Sequence, residues 1–175
     1  MGCRVMMLQS VRAFLYVIRS CENTFPDVGG ISYRTFYGGS LFTNMADHPV
    51  NTGEKKGIPL PAQVCRNAGI ASGVCVSTAA GAYQFTVGTW NSLRKSRGVD
   101  PALSDFTGAS QDIAAIRLLM DIGAYRKIAL GDFAGAIAIA GARWASLPGA
   151  TGHQGQKPMS YVEARYTEGL ALPSV

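Results

Sequence analysis

Apolar residues set the rhythm of the opening stretch. Val5, Leu8, Val11, Phe14, Leu15 and Ile18 recur at spacings of three and four, the mark of one buried face on an amphipathic helix. A helix is predicted over about 6–22, stopping where Asn23-Thr24 lead into Phe25-Pro26-Asp27-Val28-Gly29-Gly30. The period then changes. Ile31 to Tyr37 and Ser40 to Thr43 are rich in aromatic and β-branched residues and flank Gly38-Gly39, which reads as a β-hairpin. From Ala46 to Thr78 the chain is loop-like, with Pro49, Pro59 and Pro61 among several glycines. So long a loop in a compact domain commonly serves a function.

Helical spacing returns in the second half. Tyr83 to Arg97 carries Phe85, Trp90 and Leu93, with Gly98 as a C-terminal stop. Ser110 to Ile122 places Ile113, Ile116, Leu119 and Met120 on one face. Asp132 is a natural N-cap for a helix running through Trp144; its Ala134, Ala136, Ile137, Ala138 and Ala140 make it the expected central, buried helix. A last helix spans Ser160 to Gly169. A helix, a small hairpin and then several helices imply an α+β domain. The expected arrangement is one domain over 1–175, with a β-hairpin lobe at about 30–78 and a dominant helical lobe at about 79–170. A cleft between the lobes would be the ligand site.

Composition narrows the function. The chain has 175 residues, of which 15% are charged, below the roughly 25% of an average soluble domain, so disorder is not expected. The net charge is +5, yet no run of Lys and Arg exceeds two. The ladder of phosphate contacts that nucleic acid requires is therefore missing, and the charge suits encounter with an anionic polymer. Gln9, Ser10 and Arg12 interrupt the apolar start, which argues against a signal peptide or a spanning segment. Cys3, Cys21, Cys65 and Cys75 lack the close spacing and neighbouring histidines of a zinc site, with His48 and His153 standing alone. No metal or cofactor is expected. Cys65 and Cys75 bracket a glycine-bearing segment and are either a disulfide, in an oxidising compartment, or two reduced thiols.

Eleven carboxylates and two histidines are available for acid–base chemistry. Glu22 sits where the apolar helix gives way to loop, and a carboxyl held against apolar side chains stays protonated to higher pH and can act as a general acid. A lone Glu at a helix end is also a common capping residue. Six blocks extend the pattern: Arg12-Ala13-Phe14-Leu15 with Ser20-Cys21-Glu22-Asn23-Thr24; Gly38-Gly39-Ser40-Leu41-Phe42-Thr43 with Asp47-His48-Pro49; Ser77-Thr78-Ala79-Ala80-Gly81-Ala82-Tyr83-Gln84-Phe85; Asp105-Phe106 with Ser110-Gln111-Asp112; Gly131-Asp132-Phe133; and Trp144-Ala145-Ser146-Leu147-Pro148-Gly149. In this order they resemble the phage lambda endolysin family, lysozyme-like lytic transglycosylases that cut peptidoglycan. The chain departs from the family pattern in Asn23, where Gly is usual, in the Cys65–Cys75 enlargement and in the segment after Gly149.

The resemblance implies a lysozyme-like fold and a single catalytic carboxyl, Glu22. It would protonate the oxygen leaving the MurNAc–GlcNAc bond and then take the proton from the MurNAc 6-hydroxyl, leaving a 1,6-anhydro end. Hydrolysing glycosidases instead use two carboxylates, for which Asp27 and Asp47 are the candidate partners, each also readable as a turn residue. Tyr33, Thr43, Ser77, Thr78, Tyr83 and Gln84 are candidate substrate contacts; for the tyrosines the alternative is core, and for the hydroxyl residues ordinary capping. His48, Trp90 and Trp144 read as structural. Alternative functions are a hydrolysing muramidase, a non-catalytic saccharide-binding virion component, or an anion-binding module. A monomer is expected, acting on the wall either after pore-dependent (holin) release from the host cytoplasm or from within a virion.

Overall fold

The computed structural model describes residues 2–23, 30–95, 101–150 and 155–173, with side chains from Gln9 onward. The expected partner Asp27, His153 and the side chain of Cys3 lie outside the described residues. The chain forms two compact units, one made of the N-terminal segment to Val28 with Asp112–Val175, the other of residues 29–111.

The first unit is helical. α1 runs from Gly2 to Glu22, and Val11, Phe14, Leu15 and Ile18 are buried as the periodicity predicts, joined by Ala13, Val17 and Cys21. Each such large side chain contributes about 1.5–3 kcal/mol on leaving water. Asn23 ends the helix, its backbone N–H and side-chain amide both donating to the Arg19 carbonyl at 3.2 and 3.0 Å. α7, Met159–Ala171, lies along α1. Their approach is close because Gly169 has no side chain: a Cβ there would stand 2.7 Å from the Ala13 Cα. Polar ties flank the contact, from Gln9 Nε2 to the Leu170 carbonyl (2.6 Å) and from the Tyr161 hydroxyl to the Ser20 carbonyl (3.2 Å).

Three further helices complete this unit. α4 spans Gly108–Asp121 and crosses the boundary between the units; α5, Ala124–Ala129, was not anticipated; α6 is Phe133–Ala140. Asp132 caps α6 by accepting from the Gly135 N–H at 2.9 Å. α6 is shorter than expected and not buried all round. It buries Ala136, Ile137 and Ala140 while Ala134 and Ala138 are exposed, since alanines on an outer face lose little by contact with water. Phe133 bridges to α1 and α7, edge-on to Phe14 and stacked on Tyr166 at ring separations of 6.0 and 4.4 Å.

The second unit has little regular structure. The expected hairpin is reduced to one bridge, Thr35 opposite Leu41, around a turn at Gly38 and Gly39. Ile31–Arg34 is instead a 3-10 helix. Side chains take the acceptors that a first strand would need: the Thr35 hydroxyl donates to the Ile31 carbonyl and Gln111 Nε2 to the Tyr33 carbonyl, at 3.0 and 2.9 Å. The only two-stranded sheet among the described residues lies in the expected loop, where β1 (Ile58–Pro59) pairs antiparallel with β2 (Val76–Ser77). Between them α2 (Ala62–Asn67) starts after Pro61, and Cys65 is bonded to Cys75 with Cα atoms 5.7 Å apart.

The helix predicted from Tyr83 begins only at Val87, as α3, Val87–Lys95. Residues 81–84 form a tight turn instead, closed by reciprocal bonds between Ala80 and Phe85. An aromatic core of Phe42, Tyr83, Phe85, Trp90 and Phe106, with ring separations of 4.7–6.3 Å, holds these segments together. This is why residues 79–111, expected in the helical lobe, belong to the same compact unit as the hairpin region.

Two expectations follow. Gly169→Ala forces α1 and α7 apart and should lower stability by about 1–3 kcal/mol, the usual range for overpacking, measured by denaturant unfolding. Reduction of the Cys65–Cys75 bond, whose cysteines are 10 residues apart, should lower stability by about 3 kcal/mol on the chain-entropy model, seen as a drop in Tm with reductant.

Candidate active site

Glu22 is the last residue of α1, where the helix presents its negative end and disfavours another negative charge. Its neighbour Cys21 is buried, and the Cys21 thiol is pushed up to about 12 by burial and, next, by the Glu22 carboxylate. Burial likewise raises the Glu22 pKa above the ordinary glutamate value, partly opposed by hydrogen bonds from the Ser146 hydroxyl and backbone. The Ser146 Oγ donates to Glu22 Oε1. Burial wins, so the proton is retained to higher pH than on a surface glutamate.

Ser146 was not singled out as a site residue, although it lies in the Trp144–Gly149 block. It is held between buried Trp144 and Leu147, and its carbonyl accepts the Lys157 N–H at 2.8 Å. A Ser before Leu-Pro-Gly gives the sequence no hint of a partner 124 residues away. Three other carboxylates of this unit are committed elsewhere. Asp112 pairs with Arg19 at 3.8 Å, Asp132 with Lys127 at 2.7 Å, and Glu168 with Arg165.

Asp47, the second candidate carboxylate, is tied down on both oxygens. Oδ1 accepts from the His48 N–H, Trp90 Nε1 and Asn51 Nδ2 at 2.7, 2.8 and 3.2 Å, and Oδ2 accepts from Arg94 at 2.7 Å. Burial pushes its pKa up, but these donors and the Arg94 charge outweigh it and hold the carboxyl below the usual range. Such a group is a weak base and a structural tie. His48 is fully buried, with Nε2 facing the Phe85 carbonyl at 3.0 Å and Nδ1 accepting from the Val50 N–H at 3.3 Å. That pattern fits one neutral tautomer, and burial lowers its pKa.

The expected substrate contacts prove largely occupied within their own unit. Tyr83 is 1% exposed and packs against Tyr33 and Phe85, which corrects its reading as a sugar contact: the ring is core. Gln84 is not on a helix but in the 81–84 turn at φ 48°, its amide donating to the Gly81 and Thr35 carbonyls at 2.9 and 3.3 Å. Thr78 Oγ1 accepts the Val87 N–H at the start of α3, and Ser77 Oγ accepts the Ala79 N–H. Thr43 is exposed, its N–H and hydroxyl on Glu54 Oε1 at 2.8 and 3.2 Å. Tyr33 is half-buried, edge-on to Tyr83.

Gln111, whose place in the sequence suggests no role, is the hub of this unit. Fully buried, it accepts from the Ala82 N–H at 2.9 Å and donates to the carbonyls of Tyr33 and Phe106 at 2.9 and 2.8 Å. Gly81 is required beside it, because a Cβ there would fall 2.1 Å from Gln111 Oε1.

The α+β arrangement with a carboxyl at the end of its first helix is lysozyme-like. Bacteriophage lambda lysozyme complexed with a chitohexasaccharide matches with a TM-score of 0.72 at 31% identity, covering 92% of this chain and 94% of that one. A second lambda lysozyme structure matches with a TM-score of 0.63 at 29% identity over 93% and 90% of the two chains. The family model Endolysin matches residues 12–171. The endolysin of Escherichia phage lambda is 33% identical over 136 residues, 78% of this chain and 73% of the relative; that of Escherichia phage P2 is 34% identical over 149 residues, 81% of each. The chain belongs to the endolysin family.

Because Asp47 has a depressed folded pKa, its ties stabilise the fold at neutral pH and that contribution is lost as the pH falls through the folded value. Asp47→Asn should therefore lower stability at pH 7 by about 2 kcal/mol, the scale of hydrogen bonds to a charged group. In chemical denaturation the gap to the parent protein should close on acidification.

Proposed function

We infer that the protein is a peptidoglycan lytic transglycosylase that works with one carboxyl. Its substrate is the β-1,4 bond between MurNAc and GlcNAc in the wall glycan. Glu22, whose burial raises its pKa above the ordinary glutamate value, gives its proton to the glycosidic oxygen as the C1–O bond breaks. The positive charge at C1 is quenched by the MurNAc 6-hydroxyl, whose proton returns to the Glu22 carboxylate. The enzyme regains its starting state, and the products are a GlcNAc 4-hydroxyl and a 1,6-anhydro-MurNAc end. No water is consumed and no cofactor or metal is needed. The substrate's N-acetyl group is placed to assist at C1, as in substrate-assisted glycosidases that dispense with a second carboxylate.

The strongest support is the contrast between two carboxyls. Glu22 is half-buried and shifted toward its acid form, whereas Asp47 is spent on Trp90, Arg94 and Asn51. The chitohexasaccharide bound by lambda lysozyme supports a β-1,4 glycan as ligand. Release to the wall through a host-membrane pore, or carriage in a virion, is consistent with a family built for lysis.

Mass spectrometry of digested muropeptides should show glycan ends lighter by one water than lysozyme products; reducing ends alone would establish hydrolysis. Glu22→Gln should abolish turbidity clearing of permeabilised cells. A buried acid with a raised pKa weakens the fold once it ionises, so this variant should be at least as stable as the parent above the Glu22 pKa, with the advantage fading at acid pH. Unimpaired lysis by Glu22→Gln would point to a different acid.

A further inference from the structure

We propose that Ser146 is the positioning residue of the general acid: its hydroxyl, donated to Glu22 Oε1, reserves that oxygen as the carbonyl of the neutral acid and leaves the transferable proton on Oε2. This rests on Glu22 being the general acid.

A neutral carboxyl has one proton and two unlike oxygens. The carbonyl oxygen is the stronger acceptor of the two, so a fixed donor favours the arrangement in which the oxygen it meets is the carbonyl and the proton sits on the other. Ser146 Oγ is such a donor and it acts on Oε1. The donor is itself braced. Ser146 stands between buried Trp144 and Leu147. Around it the Trp144 N–H donates to the Ala140 carbonyl and the Leu147 N–H to the Trp144 carbonyl, both at 3.1 Å, so the turn continues from the end of α6. On the other side the Ser146 carbonyl accepts the Lys157 N–H at 2.8 Å, just ahead of α7.

α7 also grips the end of α1, through the Tyr161 hydroxyl on the Ser20 carbonyl at 3.2 Å. The acid and its donor are thus fixed to one another through α1, the 141–150 turn and α7, all inside one compact unit. Without the Ser146 hydroxyl the carboxyl keeps only the Ser146 backbone donor, its proton exchanges more freely between the two oxygens, and a smaller part of the population is aligned for transfer.

The donor also favours the carboxylate, so it trims the effect of burial. That balance suits a group that must first give a proton and then accept one. Removing the hydroxyl has two opposite effects. The rate falls through loss of alignment, while the acid form persists to higher pH.

The test is a pH–rate comparison on permeabilised cells and purified glycan. Ser146→Ala should reduce kcat about tenfold, the equivalent of one lost hydrogen bond, with KM little changed. The alkaline limb of its profile should move to higher pH, and Ser146→Thr, which restores the hydroxyl, should return both towards the parent values. Carboxyl-carbon NMR of Glu22 in the free protein should show the same upward titration shift. If Ser146→Ala does not fold, Ser146→Cys, near-isosteric and a poor donor, is read in its place. An alkaline limb and a Glu22 titration that stay where they are, in a folded variant, overturn the proposal. Its failure is separable from failure of the catalytic reading, because the latter would show as surviving activity in Glu22→Gln whatever Ser146 does.

Discussion

A carboxyl group half withdrawn from water at the negative end of a helix is the constraint on which this structure turns. The apolar face of α1, with Phe14, Val17, Ile18 and Cys21, buries the end of the helix, and the close α1–α7 approach at Gly169 holds it there. Ser146 supplies the hydrogen bond without which a buried carboxyl would be still less tolerable. Stability is given up locally at this point, and the helical unit around it is well enough packed to carry the loss.

The second unit meets a different difficulty. With two strands of two residues each and short helices among the described residues, it satisfies much of its backbone through side chains. Gln111 joins three segments, His48 two, and Asp47 gathers Trp90, Arg94 and Asn51. Around these sits a cluster of aromatic rings in tilted and edge-on contact; favourable aromatic pairs add about 0.5–1.5 kcal/mol beyond simple burial. Gln111 and His48 are buried, where a polar group is costly when left incomplete, and both are hydrogen-bonded. Many polar residues that look like ligands in a linear reading, among them Ser77, Thr78 and Gln84, are spent on the backbone for the same reason.

The apolar period of α1 was legible because a helix face is a local property: Val11, Phe14, Leu15 and Ile18 are buried as their spacing implies. The Asp132 cap and the last helix were legible on the same grounds. The hairpin was not, because its strand propensity competes with donors from Thr35 and from Gln111 far along the chain. The helix at Tyr83 was overextended because the Gly81 turn, forced by the packing of Gln111, delays its start to Val87.

By itself the sequence determined the family and singled out Glu22 as the proposed general acid. Helical periodicity places Glu22 at the end of a buried helix, and six short blocks carry the family resemblance. What tertiary structure decided was the meaning of the other polar groups. Whether Asp47 is a base or a tie, whether Tyr83 meets sugar or core, and which side chain holds Glu22 all depend on contacts between residues tens to more than a hundred positions apart. Burial and hydrogen-bond partners set the chemistry of a carboxyl, and neither is a property of its neighbours in sequence.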